Sequence, residues 1–456
     1  MARKLFGTDG VRGVAGEFLT AELALALARA ATAQARAERP RVLVVRDTRE
    51  SGEMLEAAVA AGVSAAGGEA LLGGVLPTPA APLLIVRYDF DLGVVLSASH
   101  NPYRDNGIKF FAGDGYKLSD DTELAIEREL ESAGAGAVAA GAGRAPGASS
   151  PPSIGRVRQL RGAGEDYLRE LHVRFAELDL HGVDVLLDCA NGATYEVAPE
   201  IFRRLGANVS VVADVPDGRN INAGCGSTHV HEFARQVPAG GHDLGFAFDG
   251  DGDRVLAVDR RGAVVDGDEL MALAVLHLRA CGRLSGDGVV VTVMTNYGFH
   301  AAMEQAGVAV ASTQVGDRYV LEELRARGWT LGGEQSGHII CSHFATTGDG
   351  LLTAAHVLAI AAGGGRSLEQ LATLRRYPQV LLNVRVAQRR PIGEVPPLAA
   401  AVAEAEAELA GSGRIFVRYS GTEPLLRIMV EAATAEAAQS VAQRMAALAH
   451  EHLGGG

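Results

Sequence analysis

The chain has little cysteine. Cys189, Cys225, Cys281 and Cys341 lie far apart and form no C-x-x-C pair, which argues against a disulfide framework and against a cysteine-bound zinc. No secretory leader is expected either. Met1-Ala2-Arg3-Lys4-Leu5-Phe6 runs straight into Gly7-Thr8-Asp9-Gly10, with no apolar core behind the basic pair. No apolar run has the length of a membrane span. The longest uncharged one, Leu351 to Ala362, carries His356 and stops well short. Positive charge is in deficit: the net charge of −13 argues against a nucleic-acid or membrane-surface partner. These absences lead us to expect a cytoplasmic protein whose partner is a small molecule, with no nucleic acid and no membrane involved. A negative protein that handles an anion must build local positive pockets.

What is present is a globular composition, 48% hydrophobic and 21% charged. The 456 residues are too many for one core. Thr20 to Glu38 reads as a helix, with Thr20 as cap and Glu22 in the first turn. Arg41 to Arg46 reads as a strand ending at Asp47, and Val183 to Leu187 and Gly288 to Val293 repeat the strand-then-helix pattern. This alternation predicts α/β domains with largely parallel sheets. Asp91-Leu92-Gly93-Val94-Val95-Leu96 echoes Asp243-Leu244-Gly245-Phe246-Ala247-Phe248, and each runs directly into a polar motif. Ser132 to Pro152 loosens into alanine, glycine, proline and serine, a surface excursion. Val255 to Arg261 is expected to lead into a third unit. After Arg366 to Pro378, a hinge candidate, come a strand from Val380 to Val386, a helix from Pro397 to Ala410 and a strand from Leu426 to Glu431. We expect four domains, 1–155, 156–256, 257–370 and a smaller α+β unit 371–456, with one motif loop from each.

Asp249, Asp251 and Asp253 alternate with glycines that let the backbone curl until the carboxylates converge. Three unpaired carboxylates after an apolar strand repel one another unless a cation joins them. An EF-hand fails, because the turn glycine is Arg254 and the twelfth position is Arg260. A compact Mg²⁺ site fits better. Ser97-Ala98-Ser99-His100-Asn101-Pro102 offers a hydroxyl nucleophile beside a histidine; alone it reads as turn chemistry, and no G-x-S-x-G elbow surrounds it. A hydroxyl nucleophile beside a carboxylate cage is the minimum kit for metal-assisted phosphoryl transfer. Lys109 could neutralise a transferring phosphoryl group. Arg418-Tyr419-Ser420-Gly421-Thr422 with Arg427 reads as a nest for a phosphate dianion, and is not a Walker loop. Glu334 and Ser336 suit a polyol, with a capped loop as the plainer reading. Arg12 is either a surface cation or a catalytic one.

Taken jointly and in order, these segments resemble the α-D-phosphohexomutase superfamily. The resemblance rests on Phe6-Gly7-Thr8-Asp9-Gly10-Val11-Arg12-Gly13, the Ser97 to Pro102 loop, Asp105-Asn106-Gly107-Ile108-Lys109-Phe110-Phe111, Gly224-Cys225-Gly226-Ser227-Thr228-His229, the Asp249 to Arg254 loop, Gly333-Glu334-Gln335-Ser336-Gly337-His338, Thr346-Thr347-Gly348-Asp349-Gly350 and the Arg418 to Pro424 loop. It covers residue 6 to about residue 430. The Phe6 to Gly10 opening, Gln335 and Gly421 are more similar to the glucosamine branch than to the phosphomannomutase/phosphoglucomutase branch, which remains the alternative. Arg219 departs from the pattern, where an apolar residue is expected.

The resemblance implies an α/β fold of three related domains and a smaller α+β C-terminal domain around a central cleft. It implies an isomerase of amino-sugar metabolism, interconverting glucosamine 6-phosphate and glucosamine 1-phosphate through glucosamine 1,6-bisphosphate. Ser99 would carry the phosphate and, with Asp249, Asp251 and Asp253, hold one Mg²⁺. Arg12, His100, Lys109 and His338 would be the other catalytic groups. Arg254, Glu334 and Ser336 would contact the sugar phosphate. Arg418, Ser420, Gly421, Thr422 and Arg427 would grip the phosphate that is not being transferred. A homodimer is left open. Two rivals of other classes are a metal-dependent sugar phosphatase using Ser99 and a non-catalytic sugar-phosphate-binding protein.

Overall fold

The computed structural model describes residues 4–133, 154–420 and 423–454. The Ser132 to Pro152 excursion therefore lies, past Ala133, outside the described residues, as do Gly421 and Thr422. The described residues gather into two compact units. One comprises the chain up to Met294 with Ala309–Thr373; the other comprises Thr295–Val308 and the chain from Leu374.

The first unit holds three sheets. The Arg41–Arg46 strand forms where its β-branched run predicts, and Val42 to Val45 are fully buried. It sits inside a six-stranded sheet in the spatial order Val11–Val14, Asp105–Ala112, Leu92–Leu96, Arg41–Arg46, Glu69–Val75, Arg156–Gln159. The helix Ala21–Ala33 starts where Thr20 caps it, Oγ1 accepting from the Leu23 amide at 3.3 Å. It ends before the expected Glu38, because the apolar face gives out after Ala33 and Pro40 cannot continue a helix. Its buried face packs on the helix Ser51–Ala65 and on the sheet.

The second sheet runs Val264–Val265, Val255–Asp259, Leu244–Phe248, Asp184–Asp188, Asn208–Val212. The third runs Ala309–Thr313, Gly288–Thr292, Leu331–Gly333, Ile339–Cys341. Two expected boundaries shift. Arg156–Gln159 pairs in parallel with Glu69–Val75 and so belongs to the first sheet, past residue 155. Val255–Asp259 is the antiparallel partner of Leu244–Phe248; it completes the second sheet instead of opening a third unit. Hydrogen-bond pairing, which composition does not reveal, decides both.

The second unit is an antiparallel sheet, Gln379–Arg385, Leu425–Ala432, Gly413–Tyr419, with the helices Pro396–Leu409 and Ala435–Leu453 packed on it around Leu398, Ile428 and Met445.

The expectation of largely parallel sheets needs correction. Each sheet of the first unit has a parallel core and an antiparallel margin, and the margin is made the same way each time. Leu92–Leu96 turns back through 97–104 into Asp105–Ala112. Leu244–Phe248 turns back through 249–254 into Val255–Asp259. Leu331–Gly333 turns back through 334–338 into Ile339–Cys341. In the second unit Gly413–Tyr419 pairs antiparallel with Leu425–Ala432. A short turn can only join antiparallel strands. The three motif loops of the first unit are thus hairpin turns at strand ends. Among the described residues no helix is long and apolar enough to cross a membrane.

Candidate active site

Ser99 sits in the turn after the fully buried strand Leu92–Leu96. Its backbone has φ of 53°, a left-handed conformation that costs a serine about 1–3 kcal/mol. Hydrogen bonds hold it there. The Ser99 amide donates to Ser97 Oγ at 2.9 Å, and Ser97 Oγ donates to Asp47 Oδ2 at 2.6 Å. The Ser99 carbonyl accepts from Arg49 Nη2 at 3.1 Å and from Asn222 Nδ2 at 3.0 Å. Arg49 is fully buried and ion-paired with Asp47. With the backbone fixed, Ser99 Oγ points at Asp249 Oδ2, 2.6 Å away.

Asp249, Asp251 and Asp253 occupy the hairpin turn, not an extended strand, and are all buried. Gly252, at φ of 70°, turns the backbone so that one oxygen from each carboxylate lies within 4.8 Å of the others. Asp251 Oδ2 accepts from Thr78 Oγ1 and from Lys109 Nζ, the latter at 2.9 Å. Asp251 Oδ1 and Asp253 Oδ1 are buried without a hydrogen-bond partner. Buried carboxylate oxygens left without a donor, in such a converging triad, are what a hard divalent cation satisfies, so the donor set fits such an ion. Burial, and then the charges of Asp253 and Asp251, push Asp249 well above the usual carboxylate range. Burial opposes the ionisation of Asp253 too, but His338 and Lys109 outweigh it and hold that carboxyl low.

Beside the triad is a cavity of about 400 Å³, lined among others by Asp9, Arg12, Asp253, Arg254, Glu334 and His338. Lys109 Nζ is buried 3.0 Å from Asp9 and 3.7 Å from Asp253. Burial alone would lower its pKa, but Asp251, Asp9 and Asp253 overcome this and raise it, so the amine stays charged. Arg254 Nη1 donates to His100 Nδ1 at 2.9 Å, and that nitrogen lies 3.4 Å from Ser99 Oγ. Burial, then the charges of Arg254 and Arg12, lower His100 to about 4, so it is neutral. Burial also works against charge on His338; Asp253, then Asp317 and Glu334, reverse it and raise it to about 9. The ring is therefore charged, with Nδ1 facing Asp253 at 3.5 Å and Nε2 3.8 Å from Asp317. Glu334 is buried and accepts from the Gly316 amide at 3.0 Å, while Ser336 is exposed.

The first unit thus assembles Arg12, Ser99, His100, Lys109, the three aspartates, Arg254, Glu334 and His338 around one turn cluster. Arg418, Ser420 and Arg427 belong to the second unit. There Arg418 and Arg427 are direct cross-strand partners. Like charges so placed repel, and Arg427 Nε is buried without a partner, so this pair suits an anion. Arg427 Nη2 reaches Ser420 Oγ at 3.4 Å. Arg219, the departure from the pattern, is exposed and paired with Glu50 at 2.8 Å, so it disturbs no core.

Sequence reading missed Asp9, Asp47, Arg49, Thr78, Lys117 and Asp317. Asp47-Thr48-Arg49 follows a buried strand as the other motifs do, and that signal could have found it. Lys117 and Asp317 stand in no such pattern.

A hydroxyl aimed into a carboxylate triad, a sugar-type loop beside it and an arginine pair across two strands of the second unit together define a phosphohexomutase. Comparison with known proteins agrees. Phosphoglucomutase/phosphomannomutase alpha/beta/alpha domains I, II and III match residues 3–136, 165–262 and 266–377, and the C-terminal domain of that family matches 381–448. The chain is 52% identical to the phosphoglucosamine mutase of Desulforudis audaxviator over 94% of each chain. It therefore belongs to the phosphoglucosamine mutases of the phosphoglucomutase/phosphomannomutase family. Among solved structures it resembles a phosphoglucomutase/phosphomannomutase family protein from Burkholderia thailandensis, with a TM-score of 0.79, 22% identity and coverage of 99% and 98% of the two chains. It also resembles the Aspergillus fumigatus N-acetylphosphoglucosamine mutase in complex with GlcNAc-6P and magnesium, with a TM-score of 0.66, 18% identity and coverage of 99% and 96%. At these identities the likeness concerns the fold.

Proposed function

We propose that the protein interconverts glucosamine 6-phosphate and glucosamine 1-phosphate through a phosphorylated Ser99, with glucosamine 1,6-bisphosphate as the intermediate. The observation that carries this reading is the direction of Ser99 Oγ, 2.6 Å from a buried aspartate of the triad. Ser99 with Asp249, Asp251 and Asp253 would hold Mg²⁺, which when bound supplies Lewis-acid stabilisation of phosphoryl charge. In the forward direction the bond from phosphorus to Ser99 Oγ breaks as a bond to the sugar C1 oxygen forms. After the bisphosphate reverses, its other phosphoryl group returns to Ser99.

The remaining groups take roles that their environments support. Arg12 and Arg254 face the transferring group as fixed cations. Lys109, held charged, stabilises and donates; it does not serve as a base. His338, held charged between Asp253 and Asp317, is the group best placed to donate a proton to the sugar oxygen as its phosphoryl group leaves. His100, neutral, orients Arg254. Glu334, with Ser336, accepts the sugar hydroxyls. Arg418, Ser420, Gly421, Thr422 and Arg427 hold the phosphate that is not reacting. The reading includes a cytoplasmic location, supported by four unpaired cysteines.

Peptide mass spectrometry of active protein tests it, together with an assay of glucosamine, N-acetylglucosamine, glucose and mannose 6-phosphates side by side. The expected result is phosphate on Ser99, fastest isomerisation of the glucosamine compound, and no turnover by Ser99→Ala. Net release of inorganic phosphate in place of an isomer would support the phosphatase instead.

A further inference from the structure

Asp9 is the meeting point of three cations. It pairs with Arg12, contacts Lys109 Nζ at 3.0 Å and accepts from Lys117 Nζ. Lys117 in turn pairs with Asp317, at the head of the helix Asp317–Arg327. Asp317 Oδ2 lies 3.8 Å from His338 Nε2, and His338 Nδ1 lies 3.5 Å from Asp253. Lys109, 3.7 Å from Asp253, closes the path and also holds Asp251 at 2.9 Å. The result is a ring of alternating sign, Lys109, Asp9, Lys117, Asp317, His338, Asp253, all within the first unit. Asp9 and Lys117 join the Lys109 side of the aspartate turn to the Asp317 and His338 side.

We infer that Asp9 and Lys117 are positioning residues, which orient Lys109 and Arg12 on one side of the cavity and, through Asp317, His338 on the other. This rests on the roles proposed for Lys109, Arg12 and His338. The physical argument is competition. Lys109 is drawn by Asp251, Asp253 and Asp9 at once, and without Asp9 its amine would collapse onto the two triad aspartates that a cation needs. Arg12, paired among the described residues with Asp9, would lose that partner and follow the field of Asp251 and Asp253. Asp9 therefore limits how far Lys109 leans onto the triad and holds Arg12 at the cavity. Lys117 neutralises the remaining charge of Asp9 and ties it to Asp317, fixing the distance between the two walls. A misplacement of such groups by about 1 Å is enough to cost on the order of 100-fold in rate.

Asp9→Asn keeps size and removes charge; Lys117→Met keeps length and removes charge. Each, and the pair together, is made in the full-length enzyme. Steady-state kinetics, thermal melting and Ser99 phosphate content are measured. Asp9→Asn is expected to lower kcat by about 10- to 100-fold with KM within about twofold, and Lys117→Met by a smaller factor. Lys117→Arg restores most of the loss, because the bridge needs only a cation of that reach. The double variant loses no more than Asp9→Asn alone, since both act along one line. The inference is overturned by a wild-type kcat in Asp9→Asn, by a loss confined to KM, or by losses that multiply in the double variant. If Asp9→Asn does not fold, Lys117→Met against Lys117→Arg decides by the same kcat criterion. Turnover by Ser99→Ala would overturn the proposed function, whereas inactive Ser99→Ala beside unimpaired Asp9→Asn overturns this inference alone.

Discussion

Ser99 shows how much support one reactive hydroxyl needs. It is a β-carbon residue held in a left-handed conformation, and its neighbours impose that geometry. Ser97 accepts from the Ser99 amide and donates to Asp47, while Arg49 and Asn222 hold the carbonyl. Ser97→Ala removes one link and leaves buried partners unsatisfied, so we expect a stability loss of about 1–3 kcal/mol in denaturant unfolding. Because Ser99 is then free to relax, kcat should fall while KM stays near wild type. At the aspartate turn, the two oxygens of Asp251 have different tasks: Oδ2 is fixed by Thr78 and Lys109, and Oδ1 is buried and unpartnered. Chelation should abolish turnover, and Asp251→Asn should raise the Mg²⁺ concentration for half-maximal activity by about tenfold or more. A metal titration of activity reads this directly; an unchanged requirement would assign Asp251 to structure.

Among the elements, the hairpin turn recurs. Three times in the first unit a strand delivers a polar turn and an antiparallel partner carries the chain away. The turn is pinned at both ends by the sheet, which gives the rigidity that a positioned site requires. Neighbouring turns are also tied directly: the Val255 amide donates to the Gly337 carbonyl at 3.1 Å, docking the sugar loop on the strand that follows the aspartate turn. Gly337, at φ of 89°, permits this approach, since a β-carbon there would lie 2.2 Å from the Val255 carbonyl oxygen. Gly337→Ala should cost about 1–3 kcal/mol in backbone strain alone and displace Glu334. Its signature is a raised KM for the sugar phosphate with a lowered melting temperature; a normal KM would separate the docking from substrate binding. The leading strands of two of these hairpins were visible in sequence as the Leu92 and Leu244 echo. The pairing partners were not, because a strand's neighbour is chosen by packing, not by its own residues.

At the scale of the whole molecule, buried histidines set the acid limit. His356, on the helix Gly350–Gly364, is lowered to about 4 by burial first and then by the charges of His277 and Arg283. An unfolded histidine titrates near 6.5. Between those values the unfolded chain binds a proton that the folded chain refuses, so stability is full above about pH 6.5 and falls as pH drops toward 4. The loss from His356 is about 3 kcal/mol at most. His356→Leu should flatten the fall of the melting temperature over that window; an unchanged slope would mean that other groups govern acid unfolding.

The sequence by itself determined the chemistry. The proposed nucleophile, the three aspartates and the proposed sugar loop are each contiguous, because each is one turn, and a turn of a few residues carries its chemistry in its own order. It also determined the strand Arg41–Arg46 and the Thr20 cap, which depend on local preference and local hydrogen bonds. The tertiary structure alone decided which strands pair, where the first and second sheets end, and that Asp9, Lys117 and Asp317 form one ring with Lys109 and His338. Those partners lie far apart along the chain, and an ion pair between distant residues leaves no period or spacing behind. Only the packing of strands brings such charges within reach, and burial then gives their alternation its strength.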